Sequence, residues 1–402
     1  MTSEERKENR YHRRKEKREF IKRMRSYEFT NFDNIFGLNA LIRSFDKCSK
    51  MNKWKTAVKK YKAKLLLNCA NASAKLSTKT YKPKSYRSFT LCERGHIRKV
   101  QSLHISDMVV QGSFRDNCLH PIIRPCLIYD NGACLSGKGT EFAIKRFIRH
   151  LKHHVLKHGL NGYIYFFDFK SYFENINREK LCKILSEIIR DRFMLGYLKD
   201  FSSQLGEKGL GLGSSISQIC AIFYPNKIDH LIKDQLGVKC YGRYMDDGYI
   251  IHNDLEKMKS IVKRFEDKCN ELDIKLSKNK CKIVKITSNF VFLKMRFFIT
   301  STGKIIRRPN KKSNVIERRR LRKFKDLVNE NTITFKDALL CFHSWICSRK
   351  LAKCYISNLG MIQYFNKLFY EYGTYFPFKT STRFQKILFH SSLQSIKNFF
   401  KT

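Results

Sequence analysis

Three aspartates stand out by their setting. Asp246 and Asp247 are adjacent in "YGRYMDDGYIIH", between two apolar and aromatic runs, and Asp168 sits near the end of "YIYFFDF", 78 residues earlier. Strands usually exclude Asp, and a buried carboxylate without a partner is costly. The first stretch reads as a hairpin with Asp246–Asp247 at its turn, and Tyr163–Phe169 reads as a central strand. If that strand lies beside the hairpin, three carboxylates gather at one end of one sheet. They repel one another unless cations intervene. Hard divalent ions meet that need, and Mg²⁺ typically takes one or two carboxylates plus phosphates of a substrate. Two such ions roughly 3.5–4 Å apart stabilise the attacking and leaving oxygens of an in-line displacement at phosphorus. A lone Asp-Asp pair is commonly an ordinary turn. The apolar strands around this one and the second strand-end Asp set it apart.

The rest of the chain suits a polyanion. Of 402 residues, 81 are Lys or Arg and 35 are Asp or Glu, a formal charge of +46. So large an excess, spread along the chain, points first to nucleic acid and second to an anionic membrane surface. With 42% hydrophobic residues the chain is globular, not a disordered basic tail. Its length allows two or three domains with sizeable cores. The 14 cysteines are scattered without C-x-x-C or zinc-ligand spacing, and some, such as Cys220 in "SQICAIF", sit among apolar residues. That usage fits a reducing compartment. The N-terminus has no apolar h-region and no stretch is apolar enough to span a membrane. A cytoplasmic protein without a membrane partner is therefore expected.

Periodicity supplies the elements that must hold the aspartates. Residues 1–30 read as a charged helical arm carrying Arg6, Arg13, Arg14 and Arg18. Tyr86–Leu103 reads as strand, turn at Glu93–Gly95, strand. "SGKGTEFAIKRFIRHLKHHVLKHG" enters through glycines into an amphipathic helix with Phe142, Ile144, Phe147, Ile148 and Leu151 on its apolar face. Residues 178–205 read as helical, and "GLGLGSSISQICAIFYPNKIDHLIKDQL" as a glycine loop leading into a helix. Residues 254–271 read as an amphipathic helix, and "IKLSKNKCKIV" and "FVFLKMRFFIT" as short strands. Residues 304–325 hold 11 Lys/Arg and one acid, Glu317, and read as a basic linker entering a helix. Residues 330–402 read as helical and aromatic-rich.

These stretches resemble a family. "RYMDD" is similar to the Y-x-D-D box of reverse transcriptases, and "FFDFKSYFENI" to their first aspartate motif. "GLGLGSSISQICAIFYPNKID" resembles their glycine loop and helix, G-x-P-x-G-x-x-x-S-Q…N-x-x-D. "LDIKLSKNKCKIV" resembles the L-x-L-N-x-K-K box, "FVFLKMRF" stands at the primer-grip hairpin, and "RGHIRKVQSLHISDMVVQ" resembles a fingers motif. Six boxes in family order, over about residues 80–300, are far more specific than any one. The resemblance implies an α+β, right-hand polymerase fold with fingers, a palm of antiparallel sheet plus helices, and a helical thumb. Its divisions here would be a basic N-terminal arm (1–30), fingers and palm (31–300), and a basic linker with helical thumb (301–402).

The resemblance also implies roles. Asp168 and Asp246 would hold two Mg²⁺ ions, with Mn²⁺ as a substitute. Asp247 would stand beside them and the Phe169 carbonyl would add a ligand. Phe173 is either a steric gate beneath the sugar, favouring dNTPs over rNTPs, or plain core. Arg98, helped by Arg94, would clamp the triphosphate. Gly209, Gly211 and Gly213 would let backbone approach template and nucleotide, with Ser217 and Gln218 opening the helix behind. Lys280 either donates a proton to the departing pyrophosphate or is a solvated lysine. Met245 either touches the primer end or simply packs. Lys294 stands where the primer grip would have glycine. Arg307, Arg308, Arg318, Arg319 and Arg322 would track the template–primer duplex through its phosphates. Gly211 replaces a proline of the family pattern, His96 a lysine and Met108 an arginine.

"IYDNGACLSGKGTEFAIKRFIRHL" resembles a segment of bacterial retroelement enzymes: group II intron, diversity-generating, retron and defence-associated types. No HNH motif, cysteine-rich DNA-binding tail or RNase H-like set of acids follows the thumb-like region. That argues against a full intron-mobility protein and a retrovirus-like enzyme. A stand-alone enzyme copying a dedicated noncoding RNA in antiphage defence is the favoured reading, with diversity-generating and retron enzymes left open. The partners would be an RNA template, a DNA primer and product, and dNTPs; a homo-oligomer stays open. The competing classes are a non-catalytic RNA-binding maturase and a template-independent or protein-primed polymerase of the same fold. An intact Asp168/Asp246/Asp247 set argues against the maturase, which needs none of them.

Overall fold

The computed structural model describes residues 3–50, 52–93, 96–203, 209–211, 213–310, 312–349, 352 and 354–373. They fall into two compact units, residues 1–286 and 287–402.

In the first unit, a hairpin of β1 (Arg87–Glu93) and β2 (His96–Ser102) follows the helices between Ser3 and Ser77. The Glu93–Gly95 turn expected between these strands lies partly outside the described residues. The main sheet contains β3 (Tyr163–Asp168), β4 (Tyr241–Tyr244), β5 (Asp247–His252) and β6 (Lys282–Lys285), in the spatial order β4-β5-β3-β6, all antiparallel.

Strand β3 is buried on both faces because each face carries a helix. Side chains alternate along a strand. Phe166 therefore meets Phe147 of helix Thr140–His158, at 6.0 Å between ring centroids. Tyr165 and Phe167 meet Phe265 of helix Leu255–Glu271, at 6.0 and 4.6 Å. That second helix starts where the Asp254 side chain accepts the Lys257 N–H. It buries Met258, Ile261, Phe265 and Cys269, one stripe at helical spacing. The outer edge of β4 is covered by Asp130–Gly132: Arg243 N–H donates to the Asp130 carbonyl, and Gly132 N–H to the Arg243 carbonyl. Covering an edge in this way removes a site for unwanted strand pairing.

Three local expectations change. The helical reading over 178–205 divides into Arg178–Ser186 and Arg192–Ser203, because Asp191 caps a new helix by accepting from the Phe193 and Met194 N–H groups. In "IKLSKNKCKIV" the strand begins only at Lys282, as β6 (Lys282–Lys285); Leu276 makes a single bridge to Phe169 before the chain turns. Asp246 lies in the hairpin turn with Met245, whereas Asp247 is already the first residue of β5.

The second unit has a three-stranded meander of β7 (Phe290–Phe292), β8 (Met295–Ile299) and β9 (Ile305–Pro309). Helices Lys312–Asn329, Phe335–Ser348 and Tyr355–Leu368 follow. Their core contains Leu321, Phe342, Trp345, Ile362 and Phe365. The expected basic linker is thus β9 followed directly by a helix. Residues 374–402 of the expected helical region lie outside the described residues.

Candidate active site

Strand register places the first two carboxylates. Asp168 ends β3, Asp247 begins β5, and the antiparallel ladder sets them directly opposite each other. Asp246 precedes them in the turn, and its carbonyl accepts the Phe169 N–H at 3.2 Å. The Asp168 carbonyl accepts from Ser277 N–H at 2.9 Å, which ties the strand end to the following loop. That loop carries Lys280, whose ammonium donates to both oxygens of Asp168, at 2.9 and 3.0 Å. Asp168, Asp246, Asp247 and Lys280 are thereby brought together. The Phe169 ring is buried in the core beneath them.

The carboxyls hold their charge at a cost. Burial pushes the Asp246 carboxyl above its ordinary value, and the charge of Asp168 adds to the effect. Burial also raises Asp247, to about 7, helped by the charges of Asp246 and Asp168 and a hydrogen bond with Asp168. The bond to Asp168 raises Lys280 and keeps it cationic.

Among the described residues, no group of three His, Cys, Asp or Glu side chains is already arranged as a metal cage. The donor chemistry nevertheless fits a hard divalent ion. All three candidates are carboxylates, their mutual repulsion is only partly relieved, and a cation already bridges both oxygens of Asp168. An ion completed by substrate phosphates needs no three-ligand protein cage.

The turn is held from behind by residues the sequence reading assigned no role. Arg243 of β4 is wholly buried and forms an ion pair with Asp229, Nη2 to Oδ2 at 2.6 Å and Nε to Oδ1 at 2.9 Å. Its remaining donors reach the carbonyls of Met245 (2.9 Å) and Ile222 (2.8 Å). Tyr241 donates its hydroxyl to Asp229 at 2.6 Å. A buried ion pair is more tolerable when further hydrogen bonds satisfy it, and four of the five Arg243 N–H donors have acceptors here. The available signal was a lone Arg inside the apolar stretch "YGRY" and an Asp ending "NKID". Met245 itself is half-buried against the core, with φ +55°. Gly248, just after the pair, is required by close approach: a Cβ there would lie 2.1 Å from the Phe167 ring.

The candidate nucleotide residues are placed in different ways. Phe173 is half-buried, packs against the core, and its carbonyl accepts the Leu210 N–H at 2.7 Å. Gly213 has φ +129°, and a Cβ on it would lie 2.0 Å from the Gln101 carbonyl of β2. The glycine loop is thus pressed against the β1–β2 hairpin. Ser214 then caps helix Ser215–Phe223 and donates to Gln111. In that helix Ser217 is buried and Gln218 exposed, and Gly209 and Gly211 lie within the loop. Arg98 is in β2, and Arg94 lies outside the described residues.

In the second unit, Lys294 is exposed in the β7–β8 turn, with φ +65°. Arg307 and Arg308 are consecutive in β9, so their side chains take opposite faces of the sheet. Arg308 faces Arg296 across the ladder, a like-charge pairing that a bound anion would relieve. Arg318, Arg319 and Arg322 are exposed on helix Lys312–Asn329.

An antiparallel sheet carrying clustered carboxylates, with helices on both faces, is an α+β polymerase fold. Residues 78–297 match the family model for reverse transcriptase (RNA-dependent DNA polymerase). The chain belongs to that reverse transcriptase family. A search of curated proteins finds no match. Among solved structures, apo telomerase from Candida tropicalis is similar at 12% identity and TM-score 0.48, over 77% of this chain and 59% of that one. Telomerase from Candida albicans, in complex with a TWJ fragment of telomeric RNA, is similar at 11% identity and TM-score 0.44, over 73% and 58%. The chain spans less than two thirds of the length of these structures.

Proposed function

We propose that this chain is an RNA-directed DNA polymerase that adds dNTPs to a primer 3′-hydroxyl by two-metal phosphoryl transfer. The observation carrying this reading is the β3–β5 register, which sets Asp168 opposite Asp247 with Asp246 in the adjoining turn. Asp168 and Asp246 would hold two Mg²⁺ ions, or Mn²⁺, with Asp247 beside them and the Phe169 carbonyl as a further ligand. When bound, such ions activate the attacking hydroxyl and neutralise charge on the leaving phosphates.

The chain's own groups do the rest. The Arg243–Asp229 pair fixes the turn. Lys280, held charged on Asp168, passes to the pyrophosphate as proton donor. Phe173 sits beneath the sugar as a steric gate, its ring held by core packing. Arg98 and Arg94 clamp the triphosphate, while Gly213 and Gln218 border the nucleotide. Met245 and Lys294 meet the primer, and Arg307, Arg308, Arg318, Arg319 and Arg322 engage duplex phosphates.

The finer biology is a bacterial retroelement-type enzyme, in the cytoplasm, copying a dedicated noncoding RNA in antiphage defence. It rests on the "IYDNGACLSGKGT" resemblance, whose Asp130–Gly132 segment lies along β4. The scattered cysteines, without C-x-x-C or zinc-ligand spacing, fit a reducing setting. Among the described residues, no helix is long and apolar enough to cross a membrane.

The test is to purify the protein with its co-bound RNA, add dNTPs and Mg²⁺, and sequence the DNA made. DNA complementary to that RNA is expected, and the Asp246→Ala/Asp247→Ala double variant should lose it by about a thousandfold. Product surviving the double substitution would sink the site assignment. No product from wild type would favour the RNA-binding reading, and product unrelated to the RNA would favour template-independent synthesis.

A further inference from the structure

The chain has two tryptophans. Trp345 is 7% exposed, within the core of the second unit, whereas Trp54 is 72% exposed. An indole left in water forgoes one of the largest burial gains a side chain offers. Trp54 lies in the loop between helices Leu38–Ser49 and Thr56–Ala63, ahead of the residues that match the family. Its position is a cleft of about 640 Å³. Val58, Leu103 and Met108 supply apolar lining, and Lys55 and Arg87 supply charge. The Lys55 ammonium is 5.6 Å from the centroid of the Trp54 ring.

The surroundings restrict what could enter. Residues 50–64 contain seven lysines and no acid, and all seven lysines are exposed. An apolar cleft with an open aromatic face, set in so one-sided a field, matches a ligand that alternates flat π faces with negative charge. Single-stranded nucleic acid has that chemistry. A duplex keeps its bases stacked inside and presents no face to the ring.

We propose that this cleft is a stacking site for an unpaired base of single-stranded nucleic acid. Trp54 is its platform, and Lys55 and Arg87 contact the neighbouring phosphates. The site is separate from the carboxylates and adds a hold on the strand outside the reaction centre. It rests on the polymerase reading only for which strand arrives there. The experiment therefore contains no dNTPs, and loss of synthesis cannot imitate loss of this site.

The full chain carrying Trp345→Phe leaves Trp54 as the sole indole fluorophore. Titration with a twelve-nucleotide oligouridine should quench it saturably. Heparin, a polyanion without bases, and an RNA duplex should bind without comparable quenching. In the otherwise unaltered chain, Trp54→Ala should weaken oligouridine binding about tenfold by anisotropy, and Trp54→Phe by less than about threefold. Heparin affinity should not change. Deoxyoligothymidine in place of oligouridine identifies the strand: quenching by either one supports the site. Equal quenching by heparin, or Trp54→Ala affinity for both oligomers within roughly twofold of wild type, overturns it and leaves a solvated lysine face.

Discussion

The β4–β5 and β7–β8 hairpins solve the same backbone problem differently. Each closes through a two-residue turn with non-glycine residues in the left-handed region: Met245 at φ +55° in the first, Leu293 and Lys294 at +46° and +65° in the second. Such a residue costs roughly 1–2 kcal/mol. In β4–β5 the conformation is over-determined. The buried Arg243 guanidinium grips the Met245 carbonyl and is itself fixed by Asp229, whose partner Tyr241 comes from the same strand. In β7–β8 Lys294 is exposed at the turn, which the buried pair Phe292 and Met295 flanks, with Phe290 stacked on Phe297 at 6.0 Å further along. Strain is held rigidly where carboxylates must be placed to within a fraction of an ångström. Elsewhere it is merely tolerated.

The largest way to break this contrast is Arg243→Met. It leaves Asp229 buried without its cation, with only the Tyr241 hydroxyl as donor among the described residues, and should cost about 3–5 kcal/mol in chemical denaturation. Because the turn loses its grip, the primer-extension rate should fall even under conditions where the variant is folded. A variant that keeps both stability and rate would show that the ion pair does not position the turn.

The next effect depends on pH. The Asp247 carboxyl is raised to about 7 in the folded chain, above the ordinary carboxylate range. The folded state therefore holds this proton more tightly than the unfolded state. Its contribution to stability is present at lower pH and is lost as pH rises through about 7. Above that, the carboxylates repel in full, and a divalent ion bound there as proposed would relieve them. Mg²⁺ should raise the melting temperature more at pH 8 than at pH 6, and Asp247→Asn should flatten the difference. An equal shift at both pH values would remove the electrostatic half of the comparison.

The smallest effect compares one substitution at the two turns. Lys294→Gly removes left-handed strain from an exposed position and should stabilise the chain by about 1 kcal/mol. Met245→Gly relieves similar strain but forfeits the packing of a half-buried side chain against the core. It should give no net gain and should slow primer extension. Equal gains at both turns, read from denaturation midpoints, would mean that Met245 packing is worth little.

Much of the site was legible because it is local in sequence. A strand ending in Asp168 and a hairpin carrying Asp246–Asp247 follow from apolar runs interrupted by carboxylates. Helix Leu255–Glu271 follows from its stripe and its Asp254 cap. The elements that misled were those whose limits depend on neighbours. Residues 305–309 look like a charged linker, yet they form β9 because β8 offers an edge to pair with. That pairing splits Arg307 and Arg308 onto opposite faces. Asp191 divides an apparently continuous helix through a cap that periodicity does not reveal.

By itself the sequence determined the family, the three carboxylates in or beside strands and the types of the strongly patterned elements such as β3 and helix Leu255–Glu271, since these rest on residue identity and short-range periodicity. Only the tertiary structure decided which strands became neighbours, and hence that Asp168 faces Asp247. It also decided that Lys280, 112 residues on, neutralises Asp168, and that Arg243 finds Asp229 behind the turn. Those pairings join residues from different elements. Their geometry comes from burial and register, which no single stretch of sequence contains.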